Sequence, residues 1–118
     1  MAEVRFNVIP DAVVDATLQL AGPMSTGDST TALTINQGDS DVSIHVYGTA
    51  GGSSVVITGS LTGATFGSVD DAYGSPMSFT TLGVIKPLGP AVQAIKGSVV
   101  GGAGSGIFIA VYIVKRGR

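Results

Sequence analysis

The sequence offers few residues that could carry out chemistry. Its single histidine, His45, lies in a segment whose alternation of apolar and polar residues predicts a strand. A catalytic triad would need a nucleophile and an orienting carboxylate gathered around that imidazole. Serines are plentiful, but none stands in a G-x-S-x-G nucleophile elbow. We therefore interpret His45 as an imidazole on the polar face of a sheet and predict that the protein is not an enzyme.

Two pairs of carboxylates invite a metal or acid/base interpretation. They are Asp39 with Asp41 and Asp70 with Asp71, and neither pair belongs to the D-x-[DN]-x-[DN]-G loop that closes around calcium. The chain has no cysteine, so thiolate metal sites and disulfides are excluded. We expect turn chemistry and no cofactor; calcium held by carboxylates from separate loops is the alternative.

The sequence contains no strong motif for binding phosphate, nucleic acid or carbohydrate. The glycine-rich stretch Gly97–Gly106 has neither dinucleotide nor P-loop spacing, and it leads into a predicted strand instead of a helix. The net charge of −2 provides no basic field for nucleic acid, and Lys115–Arg118 is interpreted as a solvated terminus. Without tryptophan, aromatic platforms for carbohydrate are scarce, and Tyr73 is the ring most expected to be exposed. We expect no nucleic acid, membrane or small-molecule partner.

The elements that must position these residues are short strands. Runs rich in Val, Ile, Thr and Phe alternate between two faces and are separated by Gly, Pro, Asp and Ser, while no stretch has helical periodicity. A length of 118 residues fits one domain, so we predict a single all-β domain, a jelly-roll-like β-sandwich. The predicted strands are Glu3–Ile9, Ala12–Leu20, Thr31–Asn36, Val42–Gly48, Ser54–Ser60, Ala64–Val69, Met77–Thr81, Val92–Val100 and Ile107–Lys115.

The last strand is unusual because both of its faces are apolar. Ile107–Val114 is too short to span a bilayer as a helix. Either it is central in a sheet covered on both sides, or another subunit buries its second face. Residues 1–30 are interpreted as a candidate N-terminal arm and loop used in subunit contacts. The candidate subunit or capsid contact residues are Phe108, Ala110, Tyr112, Val114, Phe6, Val8, Leu18 and Leu20.

Between about Thr31 and Arg116 the chain resembles the small all-β head decoration (cement) and virion structural proteins of tailed bacteriophages. The similarity consists of strand and turn motifs without any catalytic signature, and Phe66 stands where similar proteins often carry a tryptophan. The matching segments are Ala32–Asn36, Val42–Val46, Gly48–Gly52, Val55–Ser60, Gly63–Phe66, Asp71 with Gly74, Ser78–Thr81, Gly83, Val99–Gly104 and Val111–Arg116.

The resemblance implies a jelly-roll-like protein bound to the outside of an icosahedral head. It implies a homotrimer at three-fold or quasi-three-fold positions that bridges neighbouring subunits of the major capsid protein. Such a protein is made in the host cytoplasm and resides on the capsid exterior of the virion. One alternative is a tail, fibre or head-fibre component that binds a host surface through the loops Asp70–Pro76 and Gly101–Gly106. A carbohydrate-binding module or a small hydrolase is the less favoured alternative.

Overall fold

The computed structural model describes residues 3–9, 16–35, 40–89 and 92–115, which form two packed β-sheets with no helix among the described residues. This confirms the predicted all-β sandwich. The strands are β1 (Glu3–Val4), β2 (Phe6–Ile9), β3 (Ala16–Met24), β4 (Ser29–Thr30), β5 (Leu33–Thr34), β6 (Ser40–Thr49), β7 (Ser54–Ser60), β8 (Gly67–Ser68), β9 (Ser78–Phe79), β10 (Val84–Pro87), β11 (Ala94–Val100) and β12 (Ser105–Lys115).

The two sheets differ in regularity. The five-stranded sheet has the order β10-β6-β12-β3-β2 and contains the longest strands. The seven-stranded sheet has the path β1-β4-β11-β7-β8, with β5 also paired to β11 and β9 to β7. All neighbours are antiparallel except β1 and β4, which run parallel. The five-stranded sheet therefore provides one broad, continuous surface.

Strand β12 is the centre of the five-stranded sheet, because β6 pairs along one of its edges and β3 along the other. Alternate side chains point to opposite faces of a strand. Ile107, Ile109 and Val111 accordingly point into the core and are fully buried. Phe108, Ala110 and Tyr112 lie on the other face and are only half-buried.

The core lies between the sheets and is built from aliphatic side chains of the central strands. Ile44 and Val46 on β6 and Val55 and Ile57 on β7 belong to one continuous buried cluster with the inner residues of β12. Gly97 on β11 lets the two sheets approach each other, because a Cβ at that position would lie 2.5 Å from the Cδ1 atom of Ile109. Burial of such side chains supplies most of the folding free energy.

Several strands differ from the sequence-based expectation. The strand predicted at Ala12–Leu20 is observed as β3 and continues through Pro23 to Met24, while residues 10–15 lie outside the described residues. The predicted strand Ala64–Val69 is reduced to the two residues of β8. Strand β10 was not predicted, because its apolar run is short and ends at Pro87, a residue tolerated there since β10 is an edge strand.

The candidate N-terminal arm is distributed over both sheets. Its described residues form β1 and β4 in the seven-stranded sheet and β2 and β3 in the five-stranded sheet. Strand β3 pairs with β12 from Ala16 to Met24. In the folded chain these residues are therefore integral parts of the sandwich.

Three turns at one end of the sandwich are joined by two hydroxyl groups. The buried Ser53 hydroxyl accepts a hydrogen bond from the Gly104 amide at 2.9 Å and donates to the Gly101 carbonyl. The Thr26 hydroxyl also accepts from the Gly104 amide, at 2.8 Å, and lies 2.8 Å from the Ser53 hydroxyl. The turn after β3 is thereby tied to the turns after β6 and β11.

We expect Ser53→Ala to destabilise the protein by about 1 kcal/mol, because it removes the buried hydroxyl bonded to the Gly104 amide and the Gly101 carbonyl and leaves both groups to the Thr26 hydroxyl alone. Urea unfolding followed by circular dichroism measures this free energy of unfolding. The neighbouring Ser54→Ala, at a half-buried position at the start of β7, is the matched control and should change it little. Equal stability of the two variants would contradict the role given to Ser53.

Candidate functional site

The outer face of the five-stranded sheet is apolar at its centre, with the exposed Asn7 and Asp41 at its margins. Cross-strand partners share a face of a sheet. Register places Ala110 of β12 between Leu20 of β3 and His45 of β6, and Ile85 of β10 opposite His45. We call this surface the outer face; its residues are Leu18, Leu20, Ser43, His45, Tyr47, Ile85, Phe108, Ala110, Tyr112 and Val114.

Three rings form a row on the outer face. The His45 and Tyr47 ring centroids are 5.1 Å apart with planes tilted by 44°. Tyr47 stacks on Phe108 of the next strand, with centroids 5.4 Å apart and planes within 14°. Tyr47 and Phe108 thus pack on each other, and the three rings form one continuous aromatic row across β6 and β12.

A groove runs beside this row of rings. Its volume is about 660 Å³, and small side chains at Ser43 and Ala110 leave room between the larger ones. This volume lies within the ~300–1,000 Å³ typical of binding pockets. None of its lining residues carries a carboxylate or an amine; they are Leu18, Ser43, His45, Tyr47, Ile85, Ala110 and Tyr112. The groove suits an apolar or aromatic occupant with a few hydrogen-bonding groups.

The structure brings most of the candidate contact residues together. Phe108, Ala110, Tyr112, Leu18 and Leu20 share the outer face, and Val114 lies at its end opposite Asp41. Their half-buried state leaves the second apolar face of β12 accessible in the single chain.

Two candidate contact residues lie elsewhere. Phe6 pairs with the buried Ala21 and packs against the core. Val8 pairs with Gln19 on that same side of β2, and 62% of its surface is exposed. Ile85 is an outer-face residue that sequence reasoning missed, because β10 itself was not predicted; the Val84-Ile85 pair after Gly83 is the signal that could have indicated it.

A second exposed feature is the ordered loop 70–76 beside β10. The Asp71 carboxylate accepts hydrogen bonds from the Tyr73 amide at 2.9 Å and the Ser75 amide at 3.0 Å. The Asp71 amide donates to the Ser75 carbonyl at 2.7 Å, and the Ala72 amide donates to the Pro87 carbonyl of β10 at 3.0 Å. The loop is thus fixed to the sheet edge, while 83% of the Tyr73 surface is exposed.

These amides also affect the ionisation of Asp71. The hydrogen bond from the Ser75 amide, helped by the Tyr73 amide and the charge of Lys86, holds the pKa of Asp71 below its usual value of 3.8 although desolvation opposes it. A carboxylate that accepts backbone amides in this way is a structural group of the loop. Asp41 and Asp70 are exposed, and Asp39 lies outside the described residues.

Comparison with known proteins and a search for metal-binding groups do not identify a function. No family model, curated protein or solved structure matches this chain. Within residues 3–9, 16–35, 40–89 and 92–115, no group of three His, Cys, Asp or Glu side chains is placed to hold a metal ion. The same ranges contain no helix of the length and hydropathy needed to cross a bilayer. The function is therefore inferred from the outer face and loop 70–76.

Loop 70–76 should be sensitive to acid. A group whose pKa is lowered by folding contributes stability above its unfolded pKa, and that contribution is lost as the pH falls through the folded pKa. We expect the amide resonances of Tyr73 and Ser75 to shift together as the pH falls below about 4, as seen by NMR titration. Asp71→Asn should abolish this shared shift, whereas Asp70→Asn should leave it in place. A shift that survives Asp71→Asn would contradict the assignment.

Proposed function

We propose that the protein is a head decoration (cement) protein of a tailed bacteriophage. In this proposal it binds the capsid exterior of the virion and stabilises contacts between subunits of the major capsid protein. The observation that carries the proposal is the aromatic outer face with its groove, whose lining residues carry no carboxylate or amine. The resemblance of residues 31–116 to decoration proteins supplies the identity of the partner.

The composition of the outer face supports a role in protein contacts. The centres of protein interfaces are depleted in charged residues and enriched in aromatic ones, and Tyr and Trp residues often dominate the binding energy. Tyr47, Phe108 and Tyr112 provide three such rings on two adjacent strands. The five strands, spaced ~4.8 Å apart, and the segment Ile107–Val114 give a face of roughly 20 by 25 Å. That is a substantial part of the ~800 Å² that each partner buries in a standard interface.

Binding alone is sufficient for such a protein to act. A shell filled with genome is under outward pressure. A protein bound across the contact between two capsid subunits stabilises the closed shell, because its binding free energy is lost when that contact opens. Many copies on one head sum their contributions. In this proposal the copies form homotrimers, the sandwich has jelly-roll-like topology, and the protein is made in the host cytoplasm. No catalytic step, cofactor, nucleic acid, membrane or small-molecule substrate has a part in it.

A tail, fibre or head-fibre component that binds a host surface is the second candidate. Loop 70–76 favours it, because exposed loops on a rigid scaffold commonly carry recognition residues and Tyr73 is exposed at the tip of an ordered one. The loop Gly101–Gly106 supports it less, since Gly101 and Gly104 are hydrogen-bonded to the Thr26 and Ser53 hydroxyl groups.

Binding to heads separates the two candidates. Purified protein is added to tailed particles of the encoding phage that were assembled without it, and its position and occupancy are measured by electron microscopy. A decoration protein should saturate equivalent sites over the whole shell and raise the temperature at which the heads open. Binding restricted to the tail or to one vertex would favour the second candidate, and absence of binding to the particle would refute both.

Tyr112→Asp should dissociate the homotrimer, because a carboxylate would be placed in an apolar contact without a partner. Light scattering after size exclusion should show a trimer mass for the native chain and a monomer mass for the variant. Val56→Asp introduces a carboxylate at a half-buried position of β7 in the seven-stranded sheet. This variant should remain a trimer. An unchanged mass for a folded Tyr112→Asp protein would remove the outer face from the subunit contact.

A further inference from the structure

We propose that the groove on the outer face receives Tyr73 from a neighbouring copy of this chain. This inference rests on the self-association that forms part of the proposed function, and it names the two surfaces that meet. Each copy gives its loop 70–76 to one neighbour and receives the loop of the other in its groove. The contact is then head-to-tail, which differs from two outer faces packing on each other.

Tyr73 has the properties of a preformed anchor. Most of its side chain is exposed, although a tyrosine side chain carries about 150–250 Å² of largely apolar surface that favours burial. Its backbone is held in place by the Asp71 carboxylate and by the Gly74 amide, which donates to the Asp71 carbonyl at 3.1 Å. Because the loop is already ordered, binding through Tyr73 costs little conformational entropy.

The groove matches this side chain in size and chemistry. Its volume of about 660 Å³ accommodates an aromatic ring together with part of the loop that carries it. Leu18 and Ala110 provide apolar contacts for the ring. The Tyr73 hydroxyl both donates and accepts hydrogen bonds, and Ser43 and His45 offer groups of both kinds.

The charges on the two surfaces are also compatible. Asp70, next to the loop tip, is exposed, so a partner surface bearing carboxylates would repel it. The groove is lined by no carboxylate, and its one titratable base is the His45 imidazole. Contact between two outer faces lacks this asymmetry, because both copies would present the same surface, with Asp41 at its margin.

The loop is joined to the strand that lines the groove. The Ala72 amide of the loop donates to the Pro87 carbonyl of β10, and Ile85 of the same strand lines the groove. A contact of the loop with the groove of another copy is head-to-tail, and such contacts close into rings when the rotation between copies permits and extend into filaments when it does not. A homotrimer requires the closed case.

Cross-linking between different copies tests this contact, and the absence of native cysteine makes it specific. Ser75→Cys copies, which keep Tyr73, are coexpressed with Ser43→Cys copies and treated with a short bismaleimide. We expect a product of twice the chain mass in the mixture and none from either variant alone. Adding Tyr73→Ala to the Ser75→Cys copies should remove that product, because the loop loses its anchor.

Matched controls separate a specific contact from random collision. Ser98→Cys replaces Ser43→Cys with a half-buried serine of β11 in the other sheet, and it should give no cross-linked product. In unlabelled protein, Tyr73→Ala should reduce the mass to that of a monomer, while Leu61→Ala, at another exposed apolar position, should not.

A cross-link from Ser43→Cys copies alone would overturn the inference, because it would mean that two outer faces meet. A trimer that persists in Tyr73→Ala would also overturn it, as would a native chain that is monomeric. All of these measurements use purified protein without heads. Failure of the contact is therefore distinguishable from failure of head binding, which the microscopy experiment measures separately.

Discussion

The structure depends on the burial of one side of β12. This strand has apolar residues on both faces, and its two edges are occupied by β3 and β6, so its backbone hydrogen bonds are satisfied inside the five-stranded sheet. Ile107, Ile109 and Val111 are completely buried against the seven-stranded sheet. With one face used by the core, the other necessarily forms the middle of the exposed surface. The inner face of β12 thus forms part of the core, and its outer face forms part of the candidate site.

Rigidity in this protein comes from backbone hydrogen bonds to a few side-chain oxygens. Thr26 and Ser53 tie three turns together at one end, and Asp71 orders the loop that presents Tyr73. A small domain with 12% charged residues has few ion pairs available for this purpose. Ordered loops matter for a protein that acts by contact, because each loop that is fixed before binding lowers the entropic cost of association.

The proposed function follows from a surface and not from a reactive group. The row formed by His45, Tyr47 and Phe108 consists of rings packed on one another, beside a groove whose lining residues carry no carboxylate or amine. Burial of this surface against another protein is favourable, because water is excluded from its apolar side chains. The most exposed ring of the loops, Tyr73, is presented on the side of the molecule where the groove-lining strand β10 lies. In the proposed contact, this surface and the exposed Tyr73 of another copy meet.

The sequence by itself determined that the chain is all-β, how the residues of β6 and β12 divide between two faces, and that both faces of β12 are apolar. These follow from alternation with a period of two, a local property of the backbone. It could not show that Ile85 belongs to the outer face while Phe6 and Val8 do not. That depends on which strands pair and in which register, and register is decided by contacts between residues far apart in the chain. The groove likewise exists only because strand pairing places the small Ser43 and Ala110 diagonally across β6 and β12, among the larger His45, Tyr47 and Tyr112.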